Sequence, residues 1–160
     1  MLNHDYLQLG DYVFNHFKAV GASRPRVFKN GGVADGKVYA AWRKEMEARL
    51  LSLSYKDHSL MEGIQLRVDI SCEYAMPKSW SNKKRDEYIS LYKRSKPDLD
   101  NIAKSILDAM FKEDEAVVEL RARKSWGIDN LTRVVVYQCV PPIISGFGYP
   151  NKEGDFFITQ

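Results

Sequence analysis

The chain has 160 residues, of which 44% are hydrophobic, and a formal net charge of +3. This length and apolar content predict a single globular domain over residues 1–160 with a buried core. The sequence has no apolar run long enough to span a bilayer and no signal-peptide pattern, which predicts a cytoplasmic protein without a membrane anchor. Cys72 and Cys139 lack the spacing of a zinc site or a disulfide framework, so we expect buried thiols in a reducing compartment.

The elements alternate between strand-like and helix-like patterns. Apolar and polar residues alternate in the strands, whereas Tyr39, Trp42 and Met46 recur at helical spacing. In chain order the pattern predicts a strand at 11–21, a loop at 21–32, a helix at 36–53, a strand at 63–76, a basic helix flanked by loops at 77–94, a helix from about 101, and strands at 116–126 and 131–140. This order predicts an α+β fold in which a mixed four-stranded sheet packs with two to three helices. The core is expected at about 11–139, followed by a Pro/Gly-containing tail at 141–160.

Basic residues concentrate in one part of the chain. Between positions 78 and 96 there are seven basic residues against two acidic ones, a local excess of +5 that leaves −2 for the rest. These candidate DNA-binding residues are Lys78, Lys83, Lys84, Arg85, Lys93, Arg94 and Lys96. A basic segment directly before an acidic cluster suggests a polyanion held beside a cation site, although a solvated lysine-rich surface would give the same charge pattern.

Three further residues are candidates for DNA contacts. Arg24 and Arg26 flank Pro25 in the predicted loop, where they either bind phosphates or only solubilise the loop. Trp80 lies inside the basic segment and is predicted either to stack on bases of distorted or single-stranded DNA or to pack in the core.

The acidic segment between Lys96 and Leu120 is the strongest functional signal. Pro97 disfavours helix in the residue before it, so the chain is expected to be extended up to Asp98. Residues two apart in an extended stretch point the same way, so Asp98 and Asp100 can converge on one point, and Asp114 can be brought back beside them. Carboxylates of this kind hold magnesium for in-line attack on a phosphodiester. Lys104, four residues after Asp100, can orient the attacking water or stabilise charge on the phosphate.

A purely structural explanation accounts for the same residues. Asp100, Lys104 and Asp108 have the spacing of a surface ion-pair ladder, which contributes only a few tenths of a kcal/mol per pair. Asp98 has the position of a helix N-cap, and residues 113–115 could form a solvated turn. The spacing alone does not decide between these explanations.

The segment "KPDLDNIAKSILDAM", followed by an acidic run and "VVEL...K", resembles the signature of the RusA-type Holliday junction resolvases. "RPRVF...G...Y..W" near the N-terminus and "MPKSWSNKK" before the acidic segment are also similar to this family, so the resemblance covers about residues 11–139. The tail has no match. These are small, magnesium-dependent endonucleases often carried by phages and prophages. The resemblance implies that Asp98, Asp100 and Asp114 bind Mg²⁺, with Mn²⁺ as a substitute, and that Lys104 is the catalytic lysine.

The sequence departs from the family pattern in two places. The family has two consecutive aspartates after the helix, whereas this chain has Glu113, Asp114 and Glu115; anchoring on "VVEL" selects Asp114, and a shift of one residue would select Glu115. The connection between the helix and this run is also short and lacks the glycine often seen there. Neither departure removes a carboxylate.

The sequence therefore predicts a homodimeric, metal-dependent endonuclease that resolves four-way DNA junctions by paired, symmetric nicks in recombination and repair. Two other functions remain open at this point. A non-catalytic DNA-binding protein with the same fold would bind junctions without cutting them. A metal-dependent hydrolase of small phosphorylated substrates would turn over nucleotides and have little affinity for junctions.

Overall fold

A four-stranded mixed sheet forms the centre of the molecule, and helices pack on one of its faces. The computed structural model describes residues 5–22, 26–27, 33–34 and 36–140. The strands are β1 (Asp5–Asn15), β2 (Arg26–Val27), β3 (Val33–Ala34), β4 (Leu66–Ala75), β5 (Val117–Gly127) and β6 (Leu131–Val140). The helices are α1 (Lys37–Ser52), α2 (Asn82–Tyr88) and α3 (Leu99–Met110), with single 3₁₀ turns at His58–Leu60 and Asp114–Ala116.

The strand order in the main sheet is β1-β6-β4-β5, and β2 pairs only with β3. β4 and β5 run parallel, as expected for strands joined by a long helical crossover, while β6 is antiparallel to both of its neighbours. The short connection after Gly127 therefore does not form a hairpin, because β4 lies between the two strands that it joins. The structure confirms the predicted α+β class, with a mixed four-stranded sheet and three helices.

The core lies between one face of the sheet and the helices α1 and α3. Every second residue of β4 is buried, from Leu66 to Tyr74. On α3, Ile102, Ile106 and Met110 are buried against the same cluster. Burying side chains of this size contributes roughly 1.5–3 kcal/mol each, so α3 is held mainly by its apolar stripe.

Most predicted elements agree with the structure, and the first strand is the clearest exception. It was expected at 11–21, but β1 begins at Asp5 and ends at Asn15, where His16 takes a positive φ of 53°. Tyr6 and Leu7 lie opposite Cys139 and Gln138 of β6. Backbone pairing therefore extends β1 towards the N-terminus, although Leu7 is exposed. The alternating pattern after His16 is instead an irregular segment.

This irregular segment, residues 16–22, connects β1 to the first turns of α3. The amide of Ala22 donates to the carbonyl of Asn101 at 3.0 Å, and the Ser105 hydroxyl donates to the carbonyl of Val20 at 2.6 Å. Gly21 lies close enough that an added Cβ would be 3.2 Å from the Cβ of Asn101. The N-terminal end of α3 is therefore held by hydrogen bonds to residues 20–22 as well as by the burial of its own apolar side chains.

Both cysteines are buried and free, as the sequence predicts. Burial raises the pKa of the Cys72 thiol to about 12, so this group is an uncharged core residue. Within the described residues, no helix has the length and apolar character needed to cross a bilayer.

Candidate active site

Asp98 and Asp100 lie at the exposed N-terminal end of α3. Asp98 occupies the N-cap position with extended backbone angles, and Asp100 belongs to the first turn. The helix begins here because the chain leaves Pro97 extended and the apolar stripe starts only with Leu99. The Asp98 side chain makes no capping hydrogen bond, although a capping side chain typically stabilises a helix by about 1 kcal/mol.

The surface ion-pair ladder that would explain the charged residues of α3 does not form among the described residues. Asp98, Asp100 and Lys104 are exposed, and none of them forms an ion pair or a side-chain hydrogen bond with another described residue. Ion pairs do form elsewhere, for example between Arg133 and Asp11 at 2.6 Å. The two carboxylates and the ammonium at the start of α3 are therefore available to a ligand.

Asp114 lies at the other end of α3, in a turn that is anchored to a different part of the chain. The amide of Lys112 donates to the Asp57 carboxylate at 2.9 Å, and the amide of Glu113 donates to the Ser59 hydroxyl at 3.2 Å. α3 has 12 residues, so it is about 18 Å long and separates Asp114 from Asp100 by that order of distance.

The position of β5 leads to the same separation. Lys124 of β5 contacts the carbonyl of Pro97, next to Asp98. Asp114 precedes the first residue of β5, Val117, and this strand runs about 23 Å from Val117 to Lys124. Within the described part of the chain, no three His, Cys, Asp or Glu side chains are grouped closely enough to hold a metal ion. The expected return of Asp114 to Asp98 and Asp100 does not occur in a single chain, and Glu115, in the same turn, lies at the same end.

Two lysines hold the backbone that leads into Asp98, and we call this arrangement the lysine clamp (Lys93 and Lys124). The Lys93 ammonium donates to the Ser95 carbonyl at 2.9 Å, to the Ser95 hydroxyl at 2.8 Å, and to the carbonyl of Lys96. The Lys124 ammonium donates to the carbonyls of Ser95 at 2.9 Å and Pro97 at 2.5 Å. Three consecutive carbonyls before Asp98 are thus bound by two charged donors, which fixes the approach to the helix.

Lys93 is a buried cation. Its side chain is only 7% exposed, and its ammonium lies 5.0 Å from the ring centres of both Tyr74 and Trp126. Burial lowers the pKa of Lys93, and the nearby ammonium groups of Lys124 and Lys18 lower it further. The charge pattern places Lys93 among the candidate DNA-binding residues, but its three N–H groups are used inside the protein, where they hold the loop before Asp98.

The other members of the basic segment are available to solvent. Lys78, Lys83, Arg94 and Lys96 are exposed, Arg85 is half-buried, and none of these five forms an ion pair within the described residues. The Lys84 ammonium lies 4.3 Å from the centre of the Trp80 ring. These residues lie within α2, shortly before it, and in the loop that leads to Asp98.

Trp80 packs in an aromatic cluster at the edge of the sheet. Its ring centre lies 5.0 Å from that of Tyr88 and 5.1 Å from that of Trp126. Of the two roles considered from the sequence, the structure favours packing, because neighbouring rings and Lys84 surround the indole.

The arginine loop is only partly described. Arg24 lies outside the described residues, and Arg26 is described only as a backbone position of β2. Ala22, two residues before Arg24, is hydrogen-bonded to Asn101 in α3. The loop that carries the arginines therefore leaves the described core next to Asp100.

Lys18 and Lys124 are not among the site residues that the sequence predicts. Lys124 contributes through its side chain to a loop that is distant in sequence, and only the parallel pairing of β4 with β5 brings them together. Its one sequence signal is the lysine that follows "VVEL" in the family-like pattern. Lys18 has no such signal.

The chain is similar to one protein family over most of its length and to a bacterial protein. The family model described as Endodeoxyribonuclease RusA matches residues 16–137. The chain is also 28% identical over 131 residues to a Bacillus subtilis (strain 168) protein named "Uncharacterized protein YqaN", with 73% of this chain and 88% of that protein covered. The matched region contains α3, the turn with Asp114 and the lysine clamp. The chain belongs to the RusA endodeoxyribonuclease family.

Proposed function

We propose that this protein is a divalent-metal-dependent endonuclease that resolves four-way DNA junctions. The observation that carries the proposal is the group formed by Asp98, Asp100 and Lys104 in the first turns of α3, which form no ion pair with any described residue and lie close in sequence to exposed cations. A structural ion-pair network would have satisfied these charges internally. Family membership supplies the class of reaction, which is cleavage of DNA.

The donor set fits a hard divalent cation. Asp98 and Asp100 offer exposed carboxylate oxygens, and Mg²⁺ in phosphoryl-transfer sites typically takes one or two carboxylates, with water and substrate phosphate completing its shell. We propose these two residues and Asp114 as the ligands, with Mn²⁺ as a substitute for Mg²⁺. Such an ion, when bound, lowers the pKa of a coordinated water and stabilises charge on the phosphate.

The protein's own groups have separate roles in this proposal. Asp98 and Asp100 bind the cation, and the lysine clamp keeps their backbone in one conformation before DNA arrives. Lys104 lies one helical turn after Asp100, where its ammonium stabilises the negative charge that develops on the scissile phosphate. Lys78, Lys83, Lys84, Arg85, Arg94 and Lys96, with Arg24 and Arg26, contact neighbouring phosphates and set the register of the DNA.

We propose that the active protein is a homodimer in which Asp114 comes from the partner subunit. One chain carries Asp98 and Asp100 at one end of α3 and Asp114 at the other, so two antiparallel copies of this helix would bring each pair beside the missing carboxylate. A two-fold dimer produces two identical sites, which matches the two symmetric nicks needed to resolve a junction.

The decisive experiment incubates the protein with a labelled four-way junction, with and without Mg²⁺. We expect paired nicks only with Mg²⁺ and 5′-phosphate ends that ligase can seal. Junction binding without any cutting would instead indicate a DNA-binding protein. Turnover of nucleotides or small phosphodiesters, without affinity for junctions, would indicate a small-molecule hydrolase.

A further inference from the structure

Four exposed apolar residues follow one another along the chain from the last residue of α2 to the lysine clamp, and we call this segment the apolar ledge (Tyr88, Ile89, Leu91 and Tyr92). The exposed fractions of these four side chains are 39%, 44%, 52% and 75%, respectively. Exposed apolar side chains that lie close together mark interaction sites more often than scattered ones do, and here four occur within five residues.

The ledge is held in place by backbone hydrogen bonds along β5. The amide of Ser90 donates to the carbonyl of Trp126 at 3.0 Å, and the amide of Trp126 donates to the carbonyl of Leu91 at 2.9 Å. The amide of Lys93 donates to the carbonyl of Lys124 at 3.1 Å. Ser90 has a positive φ of 64°, which lets the chain turn from α2 into this short antiparallel pairing.

The packing beneath the ledge gives it a firm base. Tyr88 contacts Trp80, and Trp80 contacts Trp126 of β5. Lys93, the residue after Tyr92, points inward and binds the loop that leads to Asp98. The ledge and Asp98 are therefore parts of one connected unit, so a ligand on the ledge would be held at a fixed distance from the proposed metal ligands.

The surroundings of the ledge indicate an anionic ligand. The Lys84 ammonium lies over the Trp80 and Tyr88 rings, 4.3 and 5.7 Å from their centres, and the exposed Arg94 and Lys96 follow the ledge in sequence. The core of a protein–protein interface is depleted in charged residues, so cations before and after the ledge in sequence fit a polyanion better than a second protein surface. DNA combines apolar base faces with phosphates in this arrangement.

We propose that the ledge binds the faces of unstacked bases at the branch point of a DNA junction, an inference that rests on the proposed endonuclease function. Proteins that kink DNA insert apolar side chains between base steps, and aromatic rings stack on any base. Base faces are covered in a continuous duplex but open to a wedge where four arms meet. The ledge thus supplies selectivity for branched DNA, while the cations bind branched and continuous DNA alike.

The test compares the wild type with the double variant Leu91→Ala/Tyr92→Ala in EDTA, where no cutting occurs. We measure affinity for a four-way junction and for a duplex of the same arm sequence, and the permanganate oxidation of thymines at the branch point. The matched control is Leu51→Ala on α1, a leucine that is 82% exposed and lines the same cleft as Asp108 and Met110 at the C-terminal end of α3. We expect the double variant to lose junction affinity by about ten- to a hundredfold, the size of one stacking contact, with duplex affinity unchanged.

We also expect the wild type and the Leu51→Ala control to increase thymine oxidation at the branch point, and the double variant not to. An unchanged preference for junctions together with unchanged oxidation in the double variant would overturn the proposal. A lower molar mass of the double variant in light scattering would overturn it as well, because the ledge would then be a subunit interface. If the wild type cuts junctions but does not increase thymine oxidation, only the proposal that the ledge binds bases is refuted. If the wild type neither binds junctions more tightly than duplex nor cuts them, the proposed endonuclease function is refuted as well.

Discussion

At the scale of single residues, Asp98, Asp100 and Lys104 form no ion pair with any described residue, although oppositely charged side chains lie one helical turn apart on α3. Several surface acids on this protein pair with arginines, as Glu45 does with Arg49 on α1 at 2.8 Å. Lys104 lies one turn from Asp100 and one turn from Asp108, yet it pairs with neither in the described structure. Exposed pairs contribute only about 0–1 kcal/mol, so the absence of these pairs costs little stability.

The Asp100→Asn variant should lose cleavage while keeping junction affinity unchanged or slightly higher. The amide keeps the size of the side chain but removes a charge that the cation needs and that repels the phosphate. Cleavage rates and gel-shift affinities of the variant and the wild type, measured on the same junction, check this expectation. Cutting at a rate near that of the wild type would contradict the assignment of Asp100 as a metal ligand.

Lys104→Ala should slow cleavage by about 10²–10³-fold, with a smaller effect on affinity, because it removes a preorganised charge that acts on the transition state. Lys44→Ala is the control, since Lys44 is an exposed helical lysine on α1 that forms no ion pair within the described residues. Single-turnover rates at saturating protein separate the chemical step from binding. Equal rates for the two variants would leave Lys104 as an ordinary surface lysine.

Lys93→Met should raise the Mg²⁺ concentration needed for half-maximal cleavage and weaken Mn²⁺ binding measured without DNA. The methionine fills the space between Tyr74 and Trp126 but leaves the loop carbonyls unbound, so Asp98 loses its fixed approach. Because the pKa of Lys93 is lowered on folding, its charge reduces stability at every pH below that pKa, and stability rises as pH increases towards the pKa of the unfolded chain. Removing the charge should offset part of the loss of hydrogen bonds, so we expect only a small change in Tm.

A purely structural role for Lys93 would lower Tm and leave the metal requirement unchanged. A direct phosphate contact would instead reduce the salt dependence of junction binding. Lys44→Met, which removes an exposed charge on α1, controls for the loss of net charge in both measurements.

At the scale of the elements, the sequence predicts helices better than topology. The predicted helix at 36–53 agrees with α1 at Lys37–Ser52 because four bulky residues, Tyr39 to Leu50, repeat every three or four positions. The strands at 116–126 and 131–140 agree with β5 and β6 to within one residue. Their alternation does not reveal that β4 separates them, since strand order depends on pairing between distant segments.

In the candidate site, too, local sequence rules predict the position of some residues, whereas others depend on contacts between distant segments. Local rules place Asp98 and Asp100 at the start of a helix, because Pro97 and the apolar stripe of α3 are close in sequence. They cannot place Asp114, since its position depends on the length of α3 and on the anchoring of its turn by Asp57 and Ser59. The burial of Lys93 was equally inaccessible, because a lysine among other lysines has the pattern of a solvated surface.

The basic residues in and near α2 should increase DNA affinity by contacting phosphates, and they should not recognise the base sequence. The double variant Lys78→Ala/Lys83→Ala removes two exposed cations without ion-pair partners in the described structure. We expect weaker binding to junction and duplex alike, and a slope of log K against log salt that is shallower by about 2, close to 0.9 for each lost phosphate contact. Affinities measured between low and moderate salt check this, and an unchanged slope would remove these lysines from the DNA interface.

At the scale of the whole molecule, the separation of Asp114 from Asp98 makes subunit exchange the most informative experiment. If Asp114 acts across a dimer interface, mixing Asp100→Asn with Asp114→Asn subunits creates heterodimers in which one site carries both substitutions and the other carries neither. Each variant alone should be inactive, whereas the mixture, after unfolding and refolding together, should recover a single nick in about half of the dimers. Bound Mn²⁺ should also return, at one intact site per heterodimer.

If Asp114 instead acts in its own chain, both sites of every heterodimer carry one substitution, and the mixture stays inactive. The Glu115→Gln variant, alone and mixed with Asp100→Asn, tests whether Asp114 or Glu115 is the third carboxylate. If Glu115→Gln alone is fully active, and activity returns when Asp100→Asn is mixed with Asp114→Asn, the third carboxylate is Asp114. The reverse order would move the assignment to Glu115 without changing the need for a partner. A monomer in light scattering that still cuts both strands of an intact junction in one encounter would refute the dimer, and with it the composite site.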